Sequence, residues 1–237
     1  AADELLEPLR DGRARLAFAI EAPTPGSEAA FVEAAAALTH VVVERDGALS
    51  VATIDRATIT PARALGLDAF ARVRLADSPP RRMPTTLPLD TVRDLRRLLL
   101  LARAHGAARR AFELAVDYAK ERRQFGQPIG RFQALQHRMA DMLLHAEQAR
   151  SMSYLAAAHC ADEDHMQRQR VLSAAKVTVG QACRFVAQAM VQLHGGMGMT
   201  DELIVSHWFK RLTAIEMSAG DSDYHLMRFA QQSRMPS

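Results

Sequence analysis

Arg122 and Arg123 stand side by side in YAKERRQFGQPIGRFQALQ (118–136), where a helical pattern breaks at Gly126-Gln127-Pro128 and another begins almost at once. A helix C-terminus favours cations through its dipole, so two arginines there need no ligand to explain them. The next three residues are less ordinary: Gln124 offers an amide, Phe125 a flat ring and Gly126 a backbone open to close approach. A guanidinium for a diphosphate, an amide for a ribose or base, and an aromatic for stacking together suit a nucleotide-containing cofactor. The second such place is QLHGGMGMT (192–200), in which Gly195, Gly196 and Gly198 close a helical pattern. One glycine would be a C-cap. Three in four residues can form a bare loop whose amides face an anion. A helix precedes this loop, so it is not the strand–GxGxxG–helix arrangement of a dinucleotide fold. His194 beside it reads as a polar corner residue.

These corners must be held by helices. After Pro88, LDTVRDLRRLLLLARAHGAARRAFELAVDYAKERR (89–123) starts with Asp90 or Thr91 as N-cap and reads as one long helix. In 131–161, Leu135, Met139, Met142, Ala146 and Ala149 share a helix face; in 166–193, Val171, Ala174, Ala175, Val179 and Ala182 do the same. A last helical stretch covers about 201–232, with a weak point near Gly220. Four such helices cannot bury their stripes singly, which predicts an antiparallel four-helix bundle over 88–237. Residues 15–87 read differently. Short apolar runs at 15–20, 41–54 and 71–77, with an Asp46-Gly47 turn pair, predict a reduced β region of four or five strands, and SPPRRMPTTLP (78–88) is a proline-rich connector. Residues 1–14 hold a short polar helical piece.

Composition agrees with a mainly α, α+β chain: 5% aromatic and 24% charged residues, with abundant alanine, favour packed helices. A formal net charge of +3 with scattered arginines argues against a nucleic-acid binder. The two cysteines, Cys160 and Cys183, lie in helical patterns without ligand spacing and read as buried thiols of a reducing, cytoplasmic setting, with no metal site. His137, His145, His159 and His165 read as polar helix-face residues, and Met190, Met197 and Met199 as packing filler. No apolar run reaches the roughly 18 residues of a membrane span.

YAKERRQFGQPIGRFQALQHRMADM (118–142) and AAKVTVGQACRFVAQAMVQLHGGMGMTDE (174–202) resemble, in order and spacing, two signatures of the acyl-CoA dehydrogenase family, roughly RxxFGxPIxxFQxxQxxLADM and AxQxxGGxGxxxE. The similarity covers about 89–232 and continues weakly in AFAIEAPTPGSE (17–28) and LDAFARVRLAD (67–77). The resemblance implies a C-terminal bundle of the acyl-CoA dehydrogenase type, with the N-terminal helical domain missing or vestigial in residues 1–14. It implies FAD at a subunit interface. Arg122 matches the arginine on the FAD pyrophosphate, Gln124 and Phe125 line its adenosine half, and Gln192 and Gly196 match the contacts made in trans. Asp141 matches a structural position of the first signature.

The family's reaction also needs a carboxylate to take the α-proton of an acyl-CoA thioester. Laid on the RDARITRIYEGT pattern, KRLTAIEMSAGD (210–221) puts Ala219 at the glutamate, Gly220 at the glycine and Asp221 at the threonine. The other family position for the base, in the first long helix, is Arg96. Glu216, three residues before Ala219, could share a helix face with it and is the remaining candidate. Asp221, if ionised, would repel a diphosphate. The resemblance therefore implies a non-catalytic subunit that lends residues to the FAD of a homologous catalytic partner. The implied assembly is an α2β2 heterotetramer, with the acyl-CoA held mainly by the partner and an electron-transfer flavoprotein or similar acceptor. Family members that act on steroid side-chain CoA thioesters pair unlike subunits in this way. Two alternatives stay open at this point: a self-sufficient homo-oligomeric dehydrogenase using Glu216, and a flavin-free scaffold subunit.

Overall fold

Valine alternation dictates the first layer of the structure, a computed structural model that describes residues 2–19, 29–45, 47–62, 70–75, 80–85 and 87–234. After a short helix α1 (Ala2–Arg10), strands β1 (Leu16–Phe18), β2 (Ala29–Glu33), β3 (His40–Arg45), β4 (Ala48–Thr53), β5 (Ile59–Pro61), β6 (Phe70–Arg74) and β7 (Arg81–Arg82) follow. One sheet has the order β1-β3-β4-β7 and the other β2-β6-β5. Val41, Val43, Ala52 and Ile54 point one way, onto Val32, Ala71 and Val73 of the second sheet. Val42, Leu49 and Val51 point the other way, onto Leu5, Leu16, Met83, Leu89 and Val92. Period-two burial on both faces of β3–β4 is what an apolar, β-branched run specifies. β3 and β4 pair as an antiparallel hairpin, with Arg45 opposite Ala48, while Asp46 of the expected turn pair lies outside the described residues. Among the described residues this region has seven strands, against the four or five expected; three of them, β1, β5 and β7, are only two or three residues long and leave little periodicity to read. The PTPGSE segment (23–28) lies outside the described residues.

The chain divides into two units, Ala1–Val92 and Arg93–Ser237. The second is built on α2 (Leu89–Glu121), α3 (Gln133–Ala158), α4 (His165–His194), α5 (Ile204–Met217) and α6 (Ser222–Arg234). α2 begins at Leu89, ahead of the expected caps, with the amide of Thr91 donating to the carbonyl of Pro88 (2.9 Å). Its buried stripe is nearly all alanine after Leu101: Ala104, Ala108, Ala111, Ala115 and Ala119. Small side chains let neighbouring helices approach closely. α3 runs antiparallel to α2, as the contacts Ser153–Leu101 and Glu147–Arg109 require. α4 runs parallel to α2, joined at one end by Asp94–Arg168 and further along by Cys183 at the carbonyl of Ala104. The predicted faces of α3 and α4 are inward: Met142, Ala146, Ala149, Ala175, Val179 and Ala182 are buried.

The fourth arm of the bundle is two helices, not one. α5 descends along α4 from its C-terminal end, and α6 continues to its N-terminal end, where Gln232 meets Gln169 (3.1 Å). The break at 218–221 falls where Gly220 is expected to weaken the helix, and Gly220 has φ 95°. Among the described residues no helix is long and apolar enough to cross a membrane, and no cluster of three or more His, Cys, Asp or Glu could hold a metal. Of the two thiols Cys183 is buried, while Cys160 is partly exposed just beyond α3.

Candidate functional site

α2 stops at Glu121, two residues earlier than its sequence pattern predicts. Arg122 still donates its amide to the Tyr118 carbonyl (2.8 Å) and accepts at its own carbonyl from the amide of Ile129 (2.8 Å). The next residues form a minimal hairpin of β8 (Arg123–Gln124) and β9 (Gln127–Pro128), with Phe125 and Gly126 as its two-residue loop. Both loop residues have positive φ, 53° and 80°, the signature of a type I′ turn. A bulky aromatic in the left-handed region is uncommon and costs about 1–3 kcal/mol. The result is a ring 90% exposed at the tip of a rigid turn, edge-on to Phe132 with centroids 6.0 Å apart. Arg122, Arg123 and Gln124 are exposed beside it. No ion pair among the described residues engages either arginine, although Glu121 is next in sequence.

The second corner lies at the C-terminus of α4. Gln192 is exposed on the last turn, and Gly195–Met199 wind into a 3-10 turn that caps the helix. Gly196 is exposed, with open space where a side chain would project. Since α2 and α4 run parallel, both corners lie at the same end of the bundle. A direct contact links them: Tyr118 stacks on His194 with ring centroids 3.9 Å apart and planes 23° apart. His194 is therefore buried packing and not the polar corner residue expected. Met190 is buried, but Met197 and Met199 are 50% and 80% exposed and are no filler. At this end the structure brings together Arg122, Gln124 and Phe125 with Gln192 and Gly196. Two guanidiniums without carboxylate partners among the described residues, an exposed ring and open glycines are a set that fits an anionic nucleotide such as FAD.

The positions considered for a base lie elsewhere. Ala219, in the break between α5 and α6, has φ 56° and only a methyl group. Arg96 is half-buried on α2. Glu216 does not share a helix face with Ala219, because α5 ends at Met217. Its carboxylate is 5% exposed and accepts hydrogen bonds from Ser222 Oγ (2.9 Å), the Ser222 amide (3.3 Å) and Arg184 Nη2 (3.1 Å). Gly180 permits this, since a Cβ there would lie 2.5 Å from Ser222 Oγ. Lys176 Nζ holds the same corner from below, donating to the carbonyls of Glu216 (3.2 Å) and Ser218 (2.8 Å). Burial, opposed by the Glu216 charge, lowers the Lys176 pKa to about 8. The free space lined by Leu100, Lys176, Gly180, Cys183 and Glu216 is about 10 Å³, room for roughly one water. Asp221 has a local use: its Oδ1 accepts from the Tyr224 amide (2.8 Å) and caps α6. Tyr118, Lys176 and Arg184 are given no role in the sequence, and His194 only that of a polar corner residue, although all four lie inside the two family signatures at 118–142 and 174–202.

Comparison with known proteins fits this geometry. Residues 91–233 match the family described as Acyl-CoA dehydrogenase, C-terminal domain. Acyl-CoA dehydrogenase IpdE2 of Mycobacterium tuberculosis is 36% identical over 155 residues, covering 65% of this chain and 43% of the relative. Acyl-CoA dehydrogenase FadE34 of the same organism is 36% identical over 178 residues, covering 73% and 24%. The chain thus spans less than half the length of either relative. Among solved structures, the ChsE4-ChsE5 complex from M. tuberculosis has a TM-score of 0.79 at 21% identity, over 97% of this chain and 69% of that one. A steroid ACAD, Tcur3481-Tcur3483, has a TM-score of 0.79 at 24% identity, over 98% and 70%. At such identities these structures speak to the fold, which is mainly helical with a small sheet region before the bundle. The match over more than half of its residues decides the lineage: the chain belongs to the acyl-CoA dehydrogenase family.

Proposed function

We propose that this chain is the non-catalytic subunit of a flavin-dependent acyl-CoA dehydrogenase, lending cofactor contacts to a homologous partner that carries out the α,β-desaturation. The observation that carries this reading is a contrast within one bundle. At one end, Arg122 and the glycine corner are open and unpaired with any carboxylate among the described residues. At the α5–α6 break, where a proton acceptor would be needed, Ala219 offers a methyl group and Glu216 is committed to Ser222 and Arg184. Glu216 is buried against Ser222 and Arg184 with only about 10 Å³ of free space beside it, so its carboxylate has no room to meet the α-carbon of a thioester.

In this reading Arg122 neutralises the diphosphate of FAD, Gln124 and Phe125 border its adenosine half, and Gln192 and Gly196 complete the contact from the other corner. FAD, when bound, supplies the acceptor for the β-hydride, and the partner supplies the base and most of the acyl-CoA site. An α2β2 heterotetramer acting on a bulky, steroid-type CoA thioester, passing electrons to an electron-transfer flavoprotein or similar acceptor, is consistent with the kinds of protein this chain resembles. The test is to purify the chain alone and with the product of a neighbouring dehydrogenase gene, measuring flavin per chain and thioester desaturation. Flavin and turnover are expected only in the pair, and Arg122→Ala is expected to strip flavin from it. Full flavin and turnover from the chain alone would overturn the proposal. Glu216→Gln separates a self-sufficient enzyme from this one, since it should leave turnover of the pair intact. A flavin-free scaffold would show no effect of Arg122→Ala on cofactor content.

A further inference from the structure

One ring pair belongs to both corners at once. Tyr118 lies on the last turn of α2, and the backbone that carries Arg122 hangs from its carbonyl (2.8 Å). His194 is the last residue of α4, and Gly195 comes directly after it. The imidazole is buried, and its Nδ1–H donates to the Met190 carbonyl (2.8 Å), which fixes both the ring's rotation and its tautomer. Burial lowers its pKa, outweighing the effect of that hydrogen bond. The His194 Cβ also sits 3.0 Å from where a Cβ on Gly198 would project, so the glycine turn winds closely around this residue.

We infer that the Tyr118–His194 stack is a positioning device that sets the distance between the arginine corner and the glycine corner. The inference rests on the preceding reading that the two corners contact a single nucleotide. Charge-assisted contacts to a diphosphate require donors held to about 0.5 Å. Two separate helix ends would not keep that spacing without a link. The stack supplies the link, ring on ring at 3.9 Å between a residue of each corner.

The test is a double-mutant cycle on the assembled pair of subunits, reading the FAD dissociation constant from the fluorescence of released flavin. Arg122→Ala is expected to weaken FAD binding about 10- to 100-fold, the scale of a lost charged hydrogen bond. Tyr118→Leu is expected to weaken it about 2- to 10-fold. Combined, the two should cost less than their product, by up to the whole of the Tyr118→Leu effect, since a misplaced corner has less of its arginine contact to lose. Tyr118→Phe and His194→Phe, which keep a stacked ring, should stay within about twofold of the unmodified pair. Independent effects in the cycle would overturn the inference and leave the functional reading standing. No loss with Arg122→Ala would overturn that reading, and the inference with it. If Tyr118→Leu does not assemble, the cycle is run with His194→Leu. If neither assembles while both phenylalanine variants do, the stack is a folding contact and the inference fails.

Discussion

Phe125 shows how a single residue trades stability for presentation. Its φ of 53° is strained for a side chain of that size, and Asn-Gly is the pair a type I′ turn prefers. Phe125→Asn should therefore stabilise the chain against urea by about 0.5–1 kcal/mol while lowering flavin retention in the assembly. A variant that lost stability and kept its flavin would contradict both halves of that expectation. His225 carries a second residue-scale prediction. It is fully buried, its Nε2–H donates to the Ala219 carbonyl (3.0 Å), and its Nδ1 has no partner among the described residues. Burial, with Lys176, Arg97 and Arg228 nearby, lowers its pKa from 6.5 to about 4. Below pH 6.5 the unfolded chain takes up a proton that the folded chain refuses, so stability is lost as pH falls toward 4. The loss from this group is about 2 kcal/mol between pH 7 and pH 5. His225→Gln should flatten that limb, as urea titrations at the two pH values would measure. An unchanged slope would place the ring's titration elsewhere.

Among the elements, α2 and α4 are tied by a buried charge cluster near their N-termini. Asp94, 2% exposed, accepts from Arg97 Nη1 (2.9 Å) and Arg168 Nε (3.2 Å), and Arg168 also donates to the Asp162 carbonyl (2.7 Å). Removing the carboxylate takes a buried charged acceptor from both Arg97 and Arg168, so Asp94→Asn should cost about 3–5 kcal/mol of unfolding free energy. A loss under about 1 kcal/mol would mean that water reaches the cluster. The sequence shows little of this. Helix faces such as Met142–Ala146–Ala149 repeat locally and can be read, as can the β3–β4 hairpin. Asp94 and Arg168 meet across 74 positions, and no periodicity reports such a pair. The end of α2 is hard to read for a related reason: Arg-Arg-Gln continues a helix well enough on propensity, and only pairing with Gln127–Pro128 turns it into a strand. Glu216 misleads because a helical i,i+3 relation to Ala219 does not hold past a helix that stops at Met217. The two corners of the candidate site are legible as motifs, but the Tyr118–His194 contact that joins them is tertiary.

At the scale of the molecule, the helical unit gathers open cationic and glycine-rich groups at one end and closes its α5–α6 break with Lys176, Glu216 and Ser222. Such a distribution suits a protein whose chemistry is completed by another chain. In the proposed function Arg122 engages a diphosphate whose flavin ring lies in the partner's active site. A cryo-EM map of the purified two-subunit assembly tests this most directly. It is predicted to show the Arg122 guanidinium against the FAD diphosphate, with the isoalloxazine bordered by the partner's base and no second FAD beside Ala219. A flavin seated beside Ala219, or an Arg122 turned to solvent with the cofactor fully held by other residues, would contradict it.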